Sequence, residues 1–160
     1  MNSVPTSIEV YLDANYFVAY LLSAHADSQK AQKMFARLLI GKNKMLLSPL
    51  TVDEVMNGIY KTLRDQERVN GLLPDKSHQD YINDIRQAVE LLIGDISFNI
   101  IQFRSDPADG CLQAVENVEK HNLRPRDGFH LAYMQDQEIK YIVTNDGNFD
   151  RVKTIKRVPF

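Results

Sequence analysis

Short Val- and Ile-rich runs alternate along this chain with longer segments of helical period, an order that a parallel sheet built from βαβ units accommodates and most all-α or all-β folds do not. The runs cover residues 8–12, 45–48, 98–103, 141–144 and 154–158. Between them, apolar spacing predicts helices over 15–22, 25–40 and 81–94, with three more opening at Ser48-Pro49-Leu50-Thr51, at Asp106-Pro107 and at Arg124-Pro125-Arg126-Asp127. The expected fold class is α/β, a three-layer sandwich in which helices flank a central, mostly parallel five-stranded sheet. Gly71-Leu72-Leu73-Pro74-Asp75 reads as a break. No repeat, low-complexity tract or linker divides the chain, so residues 8–160 are expected to form one domain after a short tail, 1–7.

In such a sheet the carboxyl ends of the strands share one edge, and ligands bind there. Asp13 follows the first apolar run and Asp146 follows the fourth, while Glu54 and Asp127 each open a predicted helix. Two unit charges about 4 Å apart repel by roughly 4 kcal/mol at an effective dielectric near 20. A divalent cation is the simplest way to make such a cluster tolerable.

Each acid also has an ordinary reading. Asp13 suits a helix N-cap, and capping and ligation can coexist. Thr51-Val52-Asp53-Glu54 matches a capping box, the reading favoured for Glu54 on sequence alone. Asp127 again stands where a cap is expected, and Asp146 lies in a turn rich in Asn, Gly and Asp. One helix turn beyond Asp127, His130 is expected to be packed beside Phe129 and Leu131, and is left out of the metal shell. What favours a site is the conjunction, since all four acids fall at junctions on one predicted sheet edge.

Composition removes several alternatives. The net charge of −2 supplies no global attraction for nucleic acid, so an RNA or DNA partner must be met by local basic patches. Cys111 is the only cysteine, which excludes an internal disulfide and a thiolate zinc site and suits a reducing cytoplasm. No signal-peptide pattern or membrane-spanning run is found. The Walker pattern, the dinucleotide fingerprint and the GxSxG elbow are also missing. His25, His78 and His121 lack metal-protease spacing and read as surface residues.

Taken in order, Val10-Tyr11-Leu12-Asp13-Ala14-Asn15, Thr51-Val52-Asp53-Glu54-Val55-Met56, Arg126-Asp127-Gly128-Phe129-His130-Leu131-Ala132 and Val143-Thr144-Asn145-Asp146-Gly147-Asn148-Phe149 resemble the PIN domain, and within it the VapC-type ribonuclease toxins. The resemblance implies a PIN-like sandwich and an acidic pocket for Mg²⁺ or Mn²⁺, with Asp13, Glu54, Asp127 and Asp146 as its acids and Thr144 in support. Many relatives carry another acid where this chain has Asn148, and Asp150 is the candidate to replace it. The resemblance also implies a small antitoxin partner and a homodimer, for which the faces at Met34, Phe35, Leu38 and Leu39, and at Met56, Ile59 and Tyr60, are candidates.

The activity expected is metal-assisted hydrolysis of RNA, with Asp13 and Asp146 holding the principal ion and Asp127 and Glu54 orienting a water or a second ion. Arg124, Arg126 and Arg151 are candidate RNA contacts, Arg126 foremost. Two alternatives stand beside it. One is a catalytically silent PIN module acting as a scaffold, which Asn148 keeps open. The other is a haloacid-dehalogenase-like phosphatase, weakened because Asn15 stands where that family needs a second aspartate. The polar segment around 71–84 makes the chain long for a toxin and leaves a housekeeping RNA-processing nuclease as a further option.

Overall fold

The computed structural model describes residues 4–71 and 77–160, apart from the side chain of His78. Residues 1–3 of the N-terminal tail and 72–75 of the expected break therefore lie outside the described residues. Five strands, β1 (Glu9–Leu12), β2 (Lys44–Leu47), β3 (Phe98–Ile100), β4 (Tyr141–Val143) and β5 (Lys156–Val158), form one sheet in the order β3-β2-β1-β4-β5. Every pairing is parallel, so the sheet is more uniform than expected. Its central strand is β1, whose Tyr11 pairs with Leu46 on one side and Ile142 on the other.

The chain steps outward from β1 to β2 and β3, then returns to the opposite side of β1 for β4 and β5. Such a reversal opens a crevice between the carboxyl ends of the two strands at the switch. Because β1 has neighbours on both edges and helices on both faces, Val10, Tyr11 and Leu12 are fully buried. Val10 and Leu12 join a core with α1 (Ala14–Leu21), α2 (Ser28–Ile40), α3 (Pro49–Val69) and α4 (Ile82–Gly94). Tyr11 points the other way, toward a cluster containing Met134 and Phe149 on the side of α5 (Pro107–His121) and α6 (Pro125–Asp136).

Several local expectations are corrected. Ser48 leaves β2 early and caps α3: its hydroxyl accepts from the Thr51 amide and the Thr51 hydroxyl accepts from the Ser48 amide, both at 3.3 Å. This capping box begins three residues before the one expected at Thr51, because Pro49 is already suited to the first helical position. Glu54 thereby moves into the second turn and is free for other partners. Likewise Arg124, not Asp127, is the cap of α6, and Asp127 lies in its first turn.

The run at 98–103 stops early as a strand, since Asp136 captures the Arg104 and Ser105 amides at 2.6 and 3.0 Å. The proposed dimer faces are largely core: Met34, Leu38 and Ile59 are buried, and Phe35 and Tyr60 pack against them. Only Leu39 and Met56 among those residues are exposed. Among the described residues, no helix is long and apolar enough to cross a membrane.

Helices α5 and α6 meet closely at Gly128, one residue beyond Asp127. A Cβ built there would stand 2.6 Å from Val118 Cγ2 and 2.7 Å from the Ala114 carbonyl oxygen, and the latter belongs to helix backbone that cannot turn aside. Gly128→Ala should therefore cost about 1–3 kcal/mol, the usual range for overpacking. Gly94→Ala, with nothing within 4 Å, should cost far less in the same urea titration.

Candidate active site

The crevice between β1 and β4 is built around one hydroxyl. Asp13 ends β1 and caps α1, its Oδ1 accepting from the Ala14 amide at 2.8 Å. Its Oδ2 accepts from Thr144 Oγ1 at 2.6 Å, across the strand gap. The same Thr144 oxygen accepts from Asn15 Nδ2 at 2.8 Å and from the Asp146 amide at 3.0 Å. Asp146 caps the 3-10 turn Gly147–Arg151, with its Oδ1 accepting from the Asn148 amide at 2.8 Å. Thus Asp13 and Asp146 are oriented by the same junction, although 133 positions separate them in the chain.

Glu54 and Asp127 approach from the flanking helices. Glu54 Oε2 lies 2.7 Å from His130 Nε2, and Glu54 Oε1 lies 3.6 Å from Arg126. His130 is 1% exposed and also stands 3.7 Å from Asp13 Oδ1, while its Nδ1 lies 2.8 Å from the Tyr11 hydroxyl. The sequence favours burial of His130 beside Phe129 and Leu131 over a contact to a phosphate or ligand. It is buried, and it also bridges the acids, a role signalled by its position one turn after Asp127. Asp127 Oδ2 is buried without a hydrogen-bond partner.

These placements perturb ionisation. Burial pushes the Asp13 carboxyl up, against the opposing pull of His130 and Thr144. Asp127 is raised by burial and then by the charges of Asp146 and Asp13. Burial would lower the His130 imidazole, yet Glu54, Asp13 and Asp127 together outweigh it and raise the value.

Asp13, Glu54, Asp127 and Asp146 all line an open cavity of about 500 Å³, together with Arg124, Arg126, Lys61, His25, Asn57 and Asn145. Lys61 and Asn57 carry no signal in the sequence, occurring in ordinary polar surroundings, and His25, which reads there as a surface residue, also lines the cavity. Arg126 also contacts Asp53 at 3.4 Å. Asn148, Asp150 and Arg151 are not among the cavity's lining residues. Asp150 pairs with Arg157 through two 2.8 Å contacts, which hold its carboxyl below the usual range, and Arg151 donates to the Asn122 carbonyl at 2.6 Å. Asp150 is thus directed to an arginine and is not among the residues lining the cavity.

The PIN domain family model matches residues 10–155. The chain belongs to the PIN domain family. Among solved structures it is similar to the Mycobacterium tuberculosis toxin VapC20, which cleaves the sarcin-ricin loop, with a TM-score of 0.60 and 16% identity over 90% of this chain and 95% of that one. It is also similar to VapBC2 from Rickettsia felis bound to a promoter DNA fragment, with a TM-score of 0.58 and 14% identity over 94% and 98% of the two chains. A toxin-antitoxin complex from Klebsiella pneumoniae gives a TM-score of 0.53 and 18% identity over 92% and 95%. At these identities the likeness is one of fold. No curated protein sequence matches the chain. Membership in the PIN family leaves the haloacid-dehalogenase alternative without support.

The residues present fit a hard divalent cation. The carboxylates lining the cavity supply oxygen donors, which suit Mg²⁺ or Mn²⁺, and Asp127 Oδ2 is a buried oxygen without a hydrogen-bond partner. Among the described residues, Asp13, Glu54 and His130 each offer one atom able to hold a metal, and the three atoms lie within 4.8 Å of one another.

A raised carboxyl means that the unfolded chain ionises first, so stability falls as pH rises from the ordinary carboxylate value of 3.8 through the folded value. The raised His130 contributes stability below its ordinary 6.5 that is lost as pH climbs through its folded value. Both signs agree. With EDTA present, the urea midpoint should decline as pH rises above the ordinary carboxylate value of 3.8, and Asp127→Asn should flatten the acidic part of that decline.

Proposed function

We propose that this PIN domain is a divalent-metal-dependent endoribonuclease acting as the toxin of a toxin-antitoxin pair. The observation that carries the reading is Asp127 Oδ2, a buried carboxylate oxygen left without a partner beside acids that each have one. Asp13 and Asp146 are pre-oriented by Thr144, Ala14 and Asn148, and Asp127 completes an oxygen set for one ion. Bound there, Mg²⁺ or Mn²⁺ would polarise the scissile phosphate and activate a water molecule. Glu54, held by His130, would accept a hydrogen bond from the attacking water and orient it.

Arg126, Arg124 and Lys61 share the cavity with the acids and offer cationic contacts to flanking phosphates. Arg151 is tied to a helix end and is not a proposed contact. An open cleft with cations on its rim suits a single-stranded or looped RNA, whose bases can be splayed. The sarcin-ricin loop cleavage by the M. tuberculosis toxin and the toxin-antitoxin complex from K. pneumoniae support the substrate and partner parts of the reading.

Asn148 favours one competing reading, a silent scaffold, because it brings an amide where an acid would complete a second ion's shell. Its backbone N–H instead supports Asp146, and so we infer a single ion. Purified Asp13→Asn should fold normally and lose RNA cleavage by about a hundredfold or more, since even outer partners of metal ligands cost 10–100-fold. Equal cleavage by variant and wild type would remove Asp13 from the mechanism. Mn²⁺ titration by calorimetry should give one strong site per chain; no binding by folded protein would favour the scaffold.

A further inference from the structure

We propose that Tyr11 and His130 form a buried positioning relay that fixes the Glu54 carboxylate beside Asp13, with His130 itself outside the metal's coordination. The inference rests on the metal-nuclease reading and assigns a task to groups behind the cavity wall. Tyr11 and His130 are 0% and 1% exposed, and neither is among the residues lining the cavity.

The Tyr11 hydroxyl lies 2.6 Å from Ser48 Oγ, 3.1 Å from Thr51 Oγ1 and 2.8 Å from His130 Nδ1. Beyond the ring, His130 Nε2 reaches Glu54 Oε2 at 2.7 Å. A carboxylate offers only lone pairs, so the hydrogen on this bond belongs to Nε2. On the neutral ring Tyr11 donates to Nδ1 while accepting from Ser48 or Thr51; on the protonated ring Nδ1 donates to the Tyr11 hydroxyl, which donates on to Ser48 or Thr51. In both states Nε2–H points at Glu54, and the helix cap at the start of α3 anchors the far end. With its Nε2 lone pair used by the N–H bond, His130 has no ligand atom to give, and a hard cation prefers the neighbouring oxygens.

Glu54 needs such a support. Its side chain has several free torsions, and its other oxygen already lies 3.6 Å from the exposed guanidinium of Arg126. Without His130, the carboxylate would be drawn toward Arg126 and away from Asp13. The central strand thus supplies one acid from its end, Asp13, and steadies a second through Tyr11, two residues earlier on the same face.

Tyr11→Phe is the direct test, because Ser48 and Thr51 retain their own capping bonds and preserve the start of α3. RNA cleavage should show kcat lowered about tenfold with KM unchanged, and Mn²⁺ affinity weakened about tenfold, the low end of the range for partners of metal ligands. His130→Ala should lose more affinity than His130→Gln, whose amide can still donate to Glu54. Electron spin-echo modulation of the Mn²⁺-bound wild type should show no directly coordinated nitrogen. Wild-type kcat and Mn²⁺ affinity in Tyr11→Phe, or a nitrogen bound to the metal, would overturn the relay while leaving the nuclease reading intact. Wild-type protein that neither binds Mn²⁺ nor cleaves RNA would overturn both.

Discussion

A 2.6 Å hydrogen bond from Thr144 to Asp13 joins the ends of two strands that the chain reaches 131 positions apart. Asp13 is only 7% exposed, and a buried carboxylate without partners would be costly. Hydrogen bonds to a charged group contribute about 1.5–3 kcal/mol, and Asp13 takes one from Thr144 and another from the Ala14 amide. The Thr144 oxygen also receives Asn15 and the Asp146 amide, so one hydroxyl aligns β1, α1, β4 and the turn after β4. This junction exists because β4 pairs directly with β1.

The helices then add what the strand ends lack. Glu54 arrives on α3 and Asp127 on α6, each at a distance from the backbone junction that only packing can set. Close approach of α5 at Gly128 fixes Asp127, and contact with buried His130 fixes Glu54. The result holds like charges together, which burial and mutual repulsion register as raised carboxyls at Asp13 and Asp127. Such local strain is a common cost of a preorganised site.

Much of this was legible in the sequence where local chemistry and topology coincide. Apolar runs located every strand, and the acids after the first and fourth runs followed from parallel order. Asp13 could be read as both cap and ligand candidate, and its backbone hydrogen bond shows that it is a cap. Glu54 was harder, since a plausible capping box at Thr51 concealed a real one beginning at Ser48, and the shift of one helix turn changes which way the carboxylate faces. His130 could not be assigned from its neighbours Phe129 and Leu131, because burial and acid contact coexist there. Tyr11 carried the overlooked signal: a hydroxyl in the middle of a doubly covered strand must find buried partners. Asp150 stood near the right place but was claimed by Arg157, a long-range pairing that sequence spacing does not specify.

The central claim is that a divalent cation belongs at the β1–β4 crevice, where it satisfies Asp127. A crystal soaked in Mn²⁺ and measured near the manganese absorption edge tests this most directly. The expected anomalous peak lies within ligand distance of Asp127 Oδ2 and of carboxylate oxygens from Asp13 and Asp146, at roughly 2.0–2.2 Å as for small hard divalent ions. A fully soaked crystal with no peak in the crevice, or with manganese bound only elsewhere, would contradict it.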